Sequence, residues 1–103
     1  MKTVTICGSM RFEREMQSIA FRLEAMDNYN VLQCVYNIDK LDISQEEAAS
    51  LAKGHFKKIE MSDAIYVVDI DGYIGNQVAG EIEYAKSLGK EVIYHSKYAS
   101  TET

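Results

Sequence analysis

A chain of 103 residues, 47% of them hydrophobic, carries apolar material for one core and hardly for two, so one domain spanning 1–103 with one site is expected. The formal charge of −5 repels polyanions, which excludes nucleic-acid polymers and anionic membrane surfaces as partners but leaves small anions open. No apolar run approaches the roughly 20 residues of a membrane span, Met1 to Cys7 lacks the long apolar stretch of a secretory signal, and a cytoplasmic address is expected.

Thr3 to Cys7 is short, β-branched and apolar, as suits a buried parallel strand. The Gly8-Ser9 turn follows, and Phe12, Met16, Ile19, Ala20 and Leu23 then recur at helical spacing, predicting a helix from about Met10 to Met26 with Ser9 as its cap. Asp27 to Asn30 breaks that helix. Val31 to Val35 reads as a second strand, and Asn37 to Ile43 as connecting loop. Cys7 and Cys34 both fall in strand-like apolar runs, where a reduced thiol packs as a small hydrophobe rather than forming a redox pair.

Ser44-Gln45-Glu46-Glu47 matches the capping box, so a second helix begins near Gln45, and its stripe of Ala48, Leu51, Ala52, Phe56 and Ile59 ends around Met61. Ala64 to Ile70 is the strongest strand in the chain and is expected at the centre of the sheet. Asp71 to Gly75 forms a loop, Val78, Ile82 and Ala85 mark a third helix, Gly89 stops it, and Val92 to His95 is a last strand. This βαβαβαβ order predicts an α/β fold: a single doubly wound parallel sheet of four to five strands, of the flavodoxin or Rossmann type, with helices on both faces. In such a sheet strands one and three are neighbours, and a crevice opens at their carboxyl ends.

Two loops meet at that crevice, Gly8 to Phe12 and Asp69 to Gln77. In the first, Cys7-Gly8-Ser9-Met10-Arg11 ends a strand and opens a helix, so free N–H groups, the helix dipole and Arg11 suit a phosphate or carboxylate. The same residues also serve as a plain helix cap, and the spacing of a dinucleotide fingerprint is missing. In the second, Asp69 and Asp71 end the central strand, while Gly72 and Gly75 permit close backbone approach to a ligand. Capping of loop N–H groups accounts for such acids equally well.

The helical wheel separates the two glutamates of the third helix. Glu83 sides with Lys86, Ser87 and Lys90 on the solvent face, whereas Glu81 sides with Tyr84, Ala85 and Leu88 at the border of the apolar face. Glu81 is thus a functional group in the crevice or a boundary charge. His55 falls between Leu51 and Ile59 at helical spacing and reads as a histidine at the edge of a core face. His95 has no ligand neighbour at metal spacing, and neither a metal site nor a cofactor is expected.

Taken together, Ile6 to Arg11, then Met61-Ser62-Asp63 on to Tyr73-Ile74-Gly75, and Glu81 to Ala85 resemble the nucleoside 2-deoxyribosyltransferase superfamily, which includes the 2′-deoxynucleoside 5′-monophosphate N-glycosidases. The resemblance spans the chain from first strand to last. It implies N-glycosidic bond cleavage or transfer on a nucleoside or nucleoside 5′-monophosphate, with Glu81 as the nucleophile. It implies that Gly8, Ser9, Met10 and Arg11 wrap the sugar and 5′ end and that Gly75, Asn76 and Gln77 form the second 5′-side loop; Cys7, Asp71 and Tyr73, next to these loops, complete the expected substrate-binding set. Gly54 to Lys58 replaces the family's acidic residue near His55, so another proton donor, Asp69, is expected. A neighbouring subunit often completes the pocket in the family, which implies a homodimer or larger homo-oligomer. Two other readings stay open: a nucleotide-binding module without cleavage, and cleavage of a larger nucleotide such as NAD by the same glutamate.

Overall fold

The computed structural model describes residues 1–101. Four strands, β1 (Thr3–Cys7), β2 (Asn30–Leu32), β3 (Ala64–Val67) and β4 (Glu91–Tyr94), alternate with α1 (Glu13–Ala25), α2 (Gln45–Met61) and α3 (Asn76–Ser87), and α4 (His95–Thr101) follows. Every strand pair is parallel and the order is β2-β1-β3-β4, which places β1 beside β3 at the centre. This is the doubly wound α/β arrangement expected from the alternation of elements.

Period-two geometry sorts the central strands between two cores, because successive side chains leave a strand on opposite faces. Val4 and Ile6 of β1 join Ala64, Tyr66 and Val68 against Met16, Ala20 and Leu23 of α1. Cys7 joins Ile65 and Val67 on the other face, against Ile59 of α2 and Val78, Ile82 and Ala85 of α3. Both faces are covered, so β1 and β3 read as unbroken apolar runs. Tyr98 of α4 shares the α1 side, edge-on to Tyr66 at 5.6 Å, with its hydroxyl donating to Asp27 at 2.9 Å.

The local signals for helix ends hold. Ser44 Oγ accepts from the Glu47 N–H at 3.0 Å, and the Glu47 carboxylate accepts from the Ser44 N–H at 2.8 Å. At the end of α3, Gly89 adopts φ 71° and donates to Lys86 O, while Lys90 donates to Ala85 O, a Schellman closure that requires a left-handed residue.

Four boundaries differ from expectation. Ser9 Oγ accepts from the Arg11 N–H at 3.3 Å, but it caps only a single 3-10 turn, Met10–Phe12, and α1 starts at Glu13. The second strand is Asn30–Leu32 rather than Val31 to Val35; as an edge strand it pairs with β1 alone and diverges after three residues. The third strand ends at Val67, three residues early, because Asp69 leaves the extended region (φ −105°, ψ 56°) and Ile70–Gly72 form a 3-10 turn. His95 opens α4 instead of ending a strand. The cause is tertiary: Asp69 accepts from the Ser96 N–H at 2.8 Å and from the Ser96 hydroxyl at 2.7 Å, capping a helix that starts 26 residues further along. No helix among the described residues is long and apolar enough to cross a membrane.

Candidate functional site

At the carboxyl ends of β1 and β3 the chain departs to opposite faces, toward α1 and toward α3, and the two departing loops lie side by side. They are joined by side chains. The Arg11 guanidinium stacks 3.8 Å from the centre of the Tyr73 ring, and Phe12 meets the same ring edge-on at 6.0 Å. Gly8 is there for close approach, since a Cβ on it lies 3.0 Å from Met16 Sδ and 3.2 Å from Val68 Cβ. The loop therefore packs directly on the sheet and on α1.

Behind those loops, on the α2–α3 side, three chemically active side chains converge. Cys7 is the last residue of β1 and points to that face by the alternation that sends Ile6 to the other. The crossing of α2 and α3 is fixed by Phe56 against Tyr84, edge-on at 4.8 Å, which brings His55 opposite Glu81. His55 Nε2 lies 3.5 Å from Cys7 Sγ and 3.4 Å from Glu81 Oε1. Relative exposures are 0% for Cys7, 8% for His55 and 5% for Glu81. The other ring nitrogen, Nδ1, is buried with no hydrogen-bond partner among the described residues.

Burial pushes the Cys7 thiol well above its ordinary range, and the charge of Glu81 and a hydrogen bond to it act in the same direction. Cys34 is raised chiefly by burial but remains only partly covered. Native protein is therefore expected to displace one equivalent of thiolate from a disulfide reagent, with Cys34 taking up the other half as a mixed disulfide, and two equivalents after denaturation. Fast labelling of two thiols in the native state would contradict the buried, protonated Cys7.

The residues singled out from sequence separate into three groups. Glu81 is buried, deeper than the border position its helical wheel suggests, while Glu83 is exposed as expected. Ser9, Arg11, Tyr73 and Gly75 form the joined loops, with Met10, Asp71, Asn76 and Gln77 exposed around them. Arg11 stacks on Tyr73 and lines a groove with Met10, Glu13, Arg14 and Gln17, so Arg14 adds a second cation that the sequence reading missed. Asp69 is 6% exposed, and both its oxygens are held by Ser96. His55 is the other residue missed: spacing between Leu51 and Ile59 marks a core position and carries no sign of what faces it from α3. The expectation of no metal set has the same origin, for Cys7 and His55 stand 48 positions apart, yet the donor atoms of Cys7, His55 and Glu81 lie within 4.8 Å of one another.

Compared with models of known protein families and with curated proteins, the chain matches none.

Proposed function

We propose that the chain cleaves or transfers the N-glycosidic bond of a 2′-deoxynucleoside or its 5′-monophosphate, with Glu81 as the nucleophile. The observation that carries this reading is a buried carboxylate, Glu81, grouped with Cys7, the last residue of β1, while the loops that leave β1 and β3 carry Arg11 and Tyr73, stacked on each other. A Glu81 oxygen attacks C1′, the C1′–N bond breaks, and the base leaves with the bonding electrons and takes up a proton. Water then adds to C1′ and releases Glu81, or a second base takes the sugar. The decisive experiment is base release from a panel of deoxynucleosides, their monophosphates and NAD.

Arg11 and Arg14 supply the positive charge for a 5′-phosphate. Arg11→Ala is expected to weaken dAMP about tenfold and deoxyadenosine less than about threefold, as befits loss of a charge-assisted contact. Equal losses for the two would remove the phosphate from this loop. A second copy of the chain completes the crevice in this reading, and an active monomer in sedimentation at micromolar concentration would exclude that part.

One observation favours a second reading. Asp69, the expected proton donor, has both its carboxyl oxygens engaged by Ser96, as a helix cap rather than as a group free to serve a leaving base. A pocket without an acid binds a nucleotide and leaves it intact, and saturable binding with no base release is the result that would select it.

A further inference from the structure

We propose that Cys7, His55 and Glu81 form a binding site for one divalent metal ion of the zinc class, and that the bound ion withholds Glu81 from substrate. The second half of this statement rests on the glycosidase reading; the first does not.

The donor set is one sulfur, one imidazole nitrogen and one carboxylate oxygen, the three ligand types zinc accepts, and three protein ligands leave one tetrahedral position open. Two of the three donor spacings match a tetrahedral ion. Bond lengths near 2.3 Å for Zn–S and about 2.0–2.1 Å for Zn–N and Zn–O give tetrahedral edges of about 3.6 Å for S···N and about 3.3 Å for N···O. The corresponding separations are 3.5 Å from Cys7 Sγ to His55 Nε2 and 3.4 Å from His55 Nε2 to Glu81 Oε1, with the third pair inside 4.8 Å. Each donor stands on a different element, β1, α2 or α3, and all three are buried, so the cluster is set by the packing of the fold rather than by a mobile loop.

Charge supports the same assignment. A dication between a thiolate and a carboxylate is locally neutral, which removes the main cost of burying Glu81 at 5% exposure. Among the described residues, the polar contacts of the His55 ring are to Cys7 and Glu81, so the prospective ligands also orient one another.

The test is titration of the folded full-length chain with Co2+ and then Zn2+. One Co2+ per chain is expected, with the visible bands of a tetrahedral ion and a sulfur-to-cobalt charge-transfer band, all lost as Zn2+ displaces it. Cys7→Ser is expected to abolish the charge-transfer band and Cys34→Ser to leave it intact. His55→Gln and Glu81→Gln are each expected to weaken Zn2+ by about 100-fold or more, since even outer-shell partners are worth about 10–100-fold. Should Cys7→Ser fail to fold, the His55 and Glu81 variants still decide the matter. Absence of saturable binding, a sulfur band that survives Cys7→Ser, or undiminished Zn2+ affinity in both other variants would overturn the site. Base release that Zn2+ blocks and a chelator restores supports both halves. Saturable Zn2+ binding by a chain that releases no base even when stripped of metal would sink the glycosidase and keep the metal site, while base release from a chain that binds no metal would do the reverse.

Discussion

Glu81→Gln is expected to lower base release by on the order of 10⁴-fold or more, because the amide keeps the shape of the side chain and removes the attacking oxygen anion. Glu81 sits in the packed interface of α2 and α3, touching His55, and the substitution leaves the apolar neighbours Val78, Ile82 and Ala85 in place. Folding, read by circular dichroism, and nucleotide binding are expected to survive. Glu83→Gln, two positions away on the solvent face, is expected to change stability by no more than about 0.5 kcal/mol and to leave turnover intact. With a slow fluorinated substrate, mass spectrometry of quenched protein is expected to find the sugar attached to Glu81. Retained turnover in Glu81→Gln, or equal damage from both substitutions, would reject Glu81 as the nucleophile and promote the binding module.

Asp69→Ala is expected to cost about 2–3 kcal/mol of folding stability, the largest loss for any polar residue of the crevice loops. Its carboxylate takes two hydrogen bonds from Ser96, and charge-assisted bonds of this kind contribute about 1.5–3 kcal/mol each before the side chain's own desolvation is deducted. The bonds also start α4, whose Tyr98 packs on Tyr66. For a domain near 100 residues this corresponds to a drop in Tm of roughly 10–20 °C. Asp71→Asn is the matched control: Asp71 is exposed at φ 55°, a conformation asparagine tolerates, and a change within about 0.5 kcal/mol is expected. An unchanged Tm in Asp69→Ala would contradict the tertiary cap. Base release measured per folded molecule then assigns the residue, since a loss far beyond the unfolded fraction would restore it as the proton donor.

What the chain determined by itself is the part governed by local chemistry. Alternating β-branched runs and amphipathic stretches specify strand against helix, the Ser44–Glu47 box and the Gly89 closure specify ends, and the parallel order of β1 and β3 follows from right-handed crossovers. The helical wheel likewise divided Glu81 from Glu83. Tertiary structure alone decided what depends on contacts between distant residues. Val31 to Val35 has the composition of a strand, but an edge position offers one pairing partner and the pairing stops at Leu32. His95 opens a helix whose cap comes from far away in the chain, Asp69 on Ser96, and its ring meets the Tyr66 hydroxyl at 2.6 Å. His55 shows no property along the chain beyond a place in an apolar stripe; it faces Glu81 because α2 and α3 cross at Phe56 and Tyr84, and it meets Cys7 because the pleat of β1 sends that thiol to the same face. Helix crossing and strand pleat are set by packing between elements, so donors this far apart in the chain become one cluster only in the folded protein.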